Sequence, residues 1–231
     1  MKGISIRDIG GGVILMGLLV LPGQAGAARP LTTDDAGTVE AGKFEMEAGY
    51  GHEDFGASCR GLSLSLKHGI TARMDLGVGT GWQFDPDEGA EEVSLSLKWS
   101  LIPVKDKFPG FSVSAGFAPS ESEYFLNGIV TQPLGEKLSV HVNLGYTVPE
   151  AYKDGVIFWG GAAEYAVHEK INLVAEVIGE EDISDNNEDC RSWLIGANAA
   201  VMDFLTFDLG GGTKISDDPG WFITGGGTLS F

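Results

Sequence analysis

The chain has 231 residues, 43% of them apolar and 35 of them glycine, with a formal net charge of −18. So acidic a chain is no partner for nucleic acid, whose phosphates select a basic surface. No stretch reaches the roughly 18 uninterrupted apolar residues a spanning helix needs, so a membrane crossing would fall to strands.

The chain opens on Met1, Lys2 and Arg7, continues through an apolar run from Gly10 to Leu21, and reaches the small residues Ala25, Gly26, Ala27 and Ala28. That order predicts a secretory signal peptide over residues 1–27, cut after Ala27 or Ala28. Residues 28–41, A-R-P-L-T-T-D-D-A-G-T-V-E-A, lack sustained periodicity and predict an irregular lead-in on the periplasmic side.

From residue 42 to 231 the pattern is alternation, the signature of half-buried strands. Phe44, Met46, Ala48 and Tyr50 share one face against Glu45, Glu47 and Gly49, and after an acidic loop at Glu53 and Asp54 the pattern returns with Leu62, Leu64 and Leu66 against Lys67. With His68 to Thr71 read as a tight turn, a third strand sets Met74, Leu76 and Val78 against Asp75 and the glycines Gly77, Gly79 and Gly81. A fourth sets Val93, Leu95, Leu97 and Trp99 against Ser94, Ser96 and Lys98, and a fifth runs from Phe111 to Phe117. The sixth, Glu123 to Thr131, is ambiguous, because Tyr124, Leu126 and Val130 compete with Phe125 and Ile129 for the outward face. The seventh sets Val140, Val142 and Leu144 against His141 and Asn143. Glu164 points inward from the eighth, Glu176 from the ninth, and Asp208 from the eleventh. An acidic loop, Glu180 to Asp189, precedes the tenth, and the twelfth is Trp221 to Phe231.

Twelve such segments predict an all-β fold, an antiparallel up-and-down transmembrane β-barrel with 12 strands and both termini on one side. Two regularities favour it over a soluble sandwich. Outward aromatics gather toward both strand ends, as two lipid interfaces select, and the acidic residues of the loops gather at one end. Phe125, Phe158 and Phe222 break the aromatic pattern and are expected to plug the lumen.

The expected lumen lining is Glu45, Glu47, Lys67, Asp75, Lys98, His141, Asn143, Glu164, Glu176 and Asp208, whose mixed signs would pair across strands or set the field in a narrow channel. His141-x-Asn143 raises a membrane hydrolase, but both residues point away from lipid and their spacing fits a base-to-nucleophile chain poorly. No catalytic residue is predicted. Asp182, Asp185, Asn187 and Asp189 lack the calcium-loop spacing, and His52, His68 and His168 are isolated, so no metal and no cofactor are expected. Cys59 and Cys190 share height and inward direction on strands that are not neighbours, which leaves open a disulfide or two unpaired thiols.

The stretch R-P-L-T-T-D-D-A-G-T-V-E-A-G-K-F-E-M-E-A-G-Y, the unit H-G-I-T-A-R-M-D-L-G-V-G and the final strand resemble outer-membrane proteins of the meta-pathway of phenol degradation family, often labelled transporters. The resemblance implies a bacterial outer-membrane barrel that helps small, often aromatic or hydrophobic compounds across, and it supplies no catalytic or binding residues. Together with the residues it gives a passive channel or uptake protein for small solutes. The alternative is a closed structural or adhesion barrel with a filled lumen and acidic surface loops. The partners expected are outer-membrane lipid, lipopolysaccharide, a small solute, and the barrel-assembly machinery that reads the C-terminal Phe231.

Overall fold

A computed structural model of the chain describes residues 29–55, 57–91, 93–105, 107–119, 123–148, 155–183, 190–215 and 220–231. The signal peptide lies outside the described residues, as do the loop acids Glu92, Glu121, Glu150, Asp154, Asp185, Glu188, Asp189, Asp217 and Asp218 and, of the calcium-loop candidates, Asn187. The strands are β1 (Phe44–Asp54), β2 (Ser58–Thr71), β3 (Met74–Asp85), β4 (Gly89–Ala90), β5 (Ser94–Ile102), β6 (Gly110–Ala118) and β7 (Glu123–Leu134). They continue as β8 (Leu138–Val148), β9 (Val156–His168), β10 (Ile171–Asp182), β11 (Cys190–Met202), β12 (Leu205–Lys214) and β13 (Trp221–Ser230). The two-residue β4 pairs with Trp82 and Gln83 inside the β3–β5 connection. Twelve strands therefore build the wall, each antiparallel to its chain neighbour.

β1 and β13 close the wall from Glu45↔Ser230 to Asp54↔Trp221. Phe44 and Phe231 exchange backbone hydrogen bonds of 2.7 and 2.9 Å, and their rings stack at 5.7 Å. Connections at that end are mostly short, residues 72–73, 135–137, 169–170 and 203–204, with one longer stretch at 103–109.

The wall is inverted relative to a water-soluble sheet. Leu144 is 63% exposed beside Asn143 at 1%, and Leu209 is 67% exposed beside Asp208 at 8%. Leucines outward and amides inward is the arrangement that hydrocarbon outside and a polar interior select. The ambiguous β7 follows the same logic: Asn127 and Thr131 find hydrogen-bond partners only within the barrel, so Tyr124, Leu126 and Val130 face out and Ile129 is fully buried.

Three expectations are corrected. His68 to Thr71 is not a turn but the end of β2; Gly69 donates to the Lys43 carbonyl and bridges Ala41, so pairing continues to a turn at Ala72 and Arg73. Glu53 and Asp54, and likewise Glu180 to Asp182, belong to β1 and β10 rather than to loops, and the inward parity that begins at Glu45 carries Glu53 into the interior at 1% exposure. Finally, residues 29–41 are irregular, but they do not stay outside the barrel. They thread its lumen, because their backbone finds there the partners that no ladder gives it.

Candidate functional site

An irregular segment at membrane depth must have its peptide groups satisfied by surrounding protein. For residues 29–41 the wall supplies those partners one by one. Glu176, from β10, accepts the Thr32 N–H on both carboxylate oxygens at 3.0 Å and the Thr33 N–H at 2.9 Å. Asn143, from β8, takes the Asp34 N–H at 2.9 Å and returns its own Nδ2–H to the Asp34 carbonyl at 2.8 Å. Thr131 Oγ1 accepts the Ala36 N–H at 2.8 Å, while Ser112 Oγ donates to the Ala36 carbonyl at 2.6 Å. Asp75 Oδ2 accepts the Val39 N–H at 3.0 Å, and the segment then leaves beside β2 through the Ala41–Gly69 bridge.

Side chains of this plug are matched as closely as its backbone. The Arg29 guanidinium donates to Asp208 Oδ2 at 3.3 Å, Ser63 Oγ at 3.3 Å and Thr224 Oγ1 at 2.9 Å. It occupies the space in which a Cβ on Gly49 would stand, and Pro30 crowds Gly196 and Gly210 in the same way. Gly49, Gly196 and Gly210 therefore mark places filled by the plug. Asp34 is buried against the Lys98 ammonium at 2.8 Å. Burial pushes its carboxyl up to about 7 against the pull of Lys98.

The plug divides the lumen. Toward the long-loop end, Leu31 packs with Ala162, Val174, Leu194 and Phe222, and Phe158, Ile178 and Cys190 form a second cluster, with Phe55 against both. Phe125 lies over Gly116. The interior there is packed, with apolar side chains around the buried carboxylates of Glu53 and Glu180. Toward the short-turn end lies a cavity of about 360 Å³ roofed by Asp35, Gly37, Thr38 and Val39. In its wall Lys67 is held by Glu45 at 3.0 Å and Glu47 at 3.2 Å. Across from them Glu164 accepts from Asn172 at 2.6 Å, and Asn172 donates to Asn198 at 3.1 Å.

Of the ten residues expected to line the lumen, Glu45, Glu47, Lys67, Asp75, Lys98 and Glu164 line this cavity. Asn143, Glu176 and Asp208, with Asp75 and Lys98, grip the plug directly. His141 stands one bond removed, its Nδ1 2.9 Å from Thr131 Oγ1 and its Nε2 3.9 Å from Glu164. Sequence reasoning missed Arg29, Asp34, Ser112, Asn127 and Thr131. One signal was available: Glu176 faces Ala162 and Leu194 on its neighbouring strands, so a carboxylate at mid-height had to find donors elsewhere. Cys59 and Cys190 are both buried and both free here, with the Cys59 thiol turned to the Asp85 carbonyl on β3 at 3.1 Å.

A family model described as "Uncharacterised conserved protein UCP029691" matches residues 15–231. No curated protein matches the chain. Among solved structures the chain is similar to the NanC porin, at 9% identity and a TM-score of 0.64 over 80% of this chain and 98% of that one. It is similar to an outer-membrane channel of the COG4313 group from Pseudomonas putida F1, at 12% identity and 0.65 over 85% and 98%. It also resembles the KdgM porin solved with disordered oligogalacturonate, at 12% identity and 0.61 over 80% and 99%. At such identities the likeness is one of fold: a closed 12-strand antiparallel barrel shared with outer-membrane porins.

Proposed function

The chain belongs to that uncharacterised conserved family, and from this premise we propose that it is a bacterial outer-membrane channel for small solutes, closed at rest by its own residues 29–41. The observation that carries the reading is how the plug is held. Apart from one bridge at Ala41 it makes no strand ladder with the wall, and its contacts are single hydrogen bonds, ion pairs and small apolar packings. Water and a passing solute can replace such contacts without opening the barrel. Export would follow from a signal peptide over residues 1–27, and membrane assembly from recognition of Phe231, with lipopolysaccharide around the acidic loops.

The interior narrows the solute. KdgM was solved with oligogalacturonate, an anionic saccharide; the carboxylates of this lumen repel that class. At the long-loop end Phe55, Phe158 and Phe222 belong to the apolar clusters of the interior, which suits a solute with an apolar part. That agrees with the resemblance of residues 29–50 to the phenol meta-pathway family. The filled lumen also favours a second reading, a permanently closed structural barrel. Planar-bilayer recording separates the two. The channel reading expects rare, brief openings from the intact chain and steady conductance from a chain lacking residues 29–40. A truncated barrel that folds, shown by heat-modifiable gel mobility, yet never conducts would leave the structural barrel.

A further inference from the structure

The cavity under the plug holds more carboxylate than it can match. Six carboxylates line it: Asp35, Glu45, Glu47, Asp75, Glu164 and Glu169. Four bases share the lining, but Arg29 and Lys98 are already matched by Asp208 and Asp34, which lie outside it. Only Lys67 and Lys170 remain to answer six negative charges. Asp75 makes the surplus specific: it is 2% exposed, its Oδ2 accepts the Val39 N–H, and its Oδ1 has no hydrogen-bond partner. A buried carboxylate oxygen left without a donor is a costly group, and a charged N–H donor is its natural complement.

Three further features define the donor. Among the described residues no His, Cys, Asp and Glu side chains are grouped to hold a metal ion, so the field is diffuse and not a chelate. None of the residues lining the cavity is aromatic, and a quaternary ammonium is recognised mainly by aromatic faces. The wall opposite Asp75 carries Asn172, Asn198, Thr206 and Thr228 beside Glu164, which suits a body that hydrogen-bonds. The volume, about 360 Å³, is at the small end of ligand pockets.

We propose that this cavity is a binding site for a small primary ammonium compound, held by Asp75 and the unbalanced carboxylates of Glu45 and Glu47, with its polar body against the asparagine and threonine wall. The inference goes beyond the channel reading by assigning a separate site beneath the plug, and it rests on that reading only for its physiological meaning.

Calorimetry on the detergent-folded, full-length barrel tests it, with 1,4-diaminobutane as probe and tetramethylammonium and acetate as controls. Saturable binding of the diamine is expected, with tetramethylammonium and acetate weaker by about tenfold or more. Asp75→Asn, which keeps an acceptor for Val39, is expected to weaken the diamine by about ten- to a hundredfold, the worth of a charged hydrogen bond. Should that variant fail to fold, Glu47→Gln gives the same readout on the partly exposed side of the cavity. Non-saturable binding, equal binding of tetramethylammonium, or affinity unchanged in a folded variant overturns the site. Diamine binding without conductance in the truncated barrel would retire the channel and keep the site; conductance without diamine binding would do the reverse.

Discussion

Glu176→Ala is the substitution that bears most directly on the plug. The carboxylate receives the N–H groups of both Thr32 and Thr33, at 2.9 to 3.0 Å, and Thr33 is fully buried. A hydrogen bond to a charged group contributes about 1.5–3 kcal/mol, so losing two weakens seating by about 3–6 kcal/mol. Moving a two-state equilibrium from 1:99 to 99:1 takes about 5.5 kcal/mol, so the substitution is large enough to convert a closed channel into one that is open much of the time. Glu176→Gln retains one carbonyl acceptor and is expected to fall between. Single-channel recording measures the open fraction directly, with the chain lacking residues 29–40 as the fully open reference. If Glu176→Ala folds and stays as silent as the intact chain while the truncated chain conducts, the hydrogen bonds to Glu176 do not hold the plug and the reasoning fails.

Acidity should tighten the same closure. Free Asp34 ionises near 3.8 and the seated carboxyl at about 7, through burial that outweighs the pull of Lys98. Because the seated value is the higher one, the protonation that favours seating is fully present below the free value and lost as pH rises through about 7; conductance is expected to rise over that interval, and Asp34→Asn to flatten the profile. Gly49→Ala puts a methyl where the Arg29 guanidinium stands, so the bonds to Asp208, Ser63 and Thr224 break. Amide hydrogen exchange at residues 31–39 should quicken while the wall strands stay protected; unchanged exchange would refute the crowding. Phe231→Ala removes the ring stacked on Phe44, worth about 0.5–1.5 kcal/mol beyond its buried area. It is expected to lower the folded fraction seen as heat-modifiable gel mobility, with unfolding beginning at the β1–β13 seam.

The wall was legible in the sequence because its signal is periodic. Each outward Leu, Val or aromatic stands two residues from the next, and one misread residue does not disturb the rest. Strand ends were read less well at Glu53 and Glu180, since charge suggests a loop and only parity shows that these positions point inward. The plug was the least legible part. Residues 29–41 have no period, and the hydrogen bonds of Arg29 alone reach partners 34 to 196 residues away in the chain, a kind of pairing that no local pattern encodes. The space beside the inward glycines Gly49, Gly196 and Gly210 is occupied by Arg29 and Pro30. Composition reports that a side chain is missing, not what has moved into its place.

The manner in which the wall closes has a consequence for biogenesis. The plug runs on through residues 42–43 directly into β1, the strand that joins β13 to complete the circle. Residues 29–41 are thus enclosed by a wall that is completed when β1 pairs with β13. Glu176, Asn143 and Lys98 would lack their partners in a barrel closed without the segment. The strand that completes the wall thus lies next to the strand that leads out of the plug.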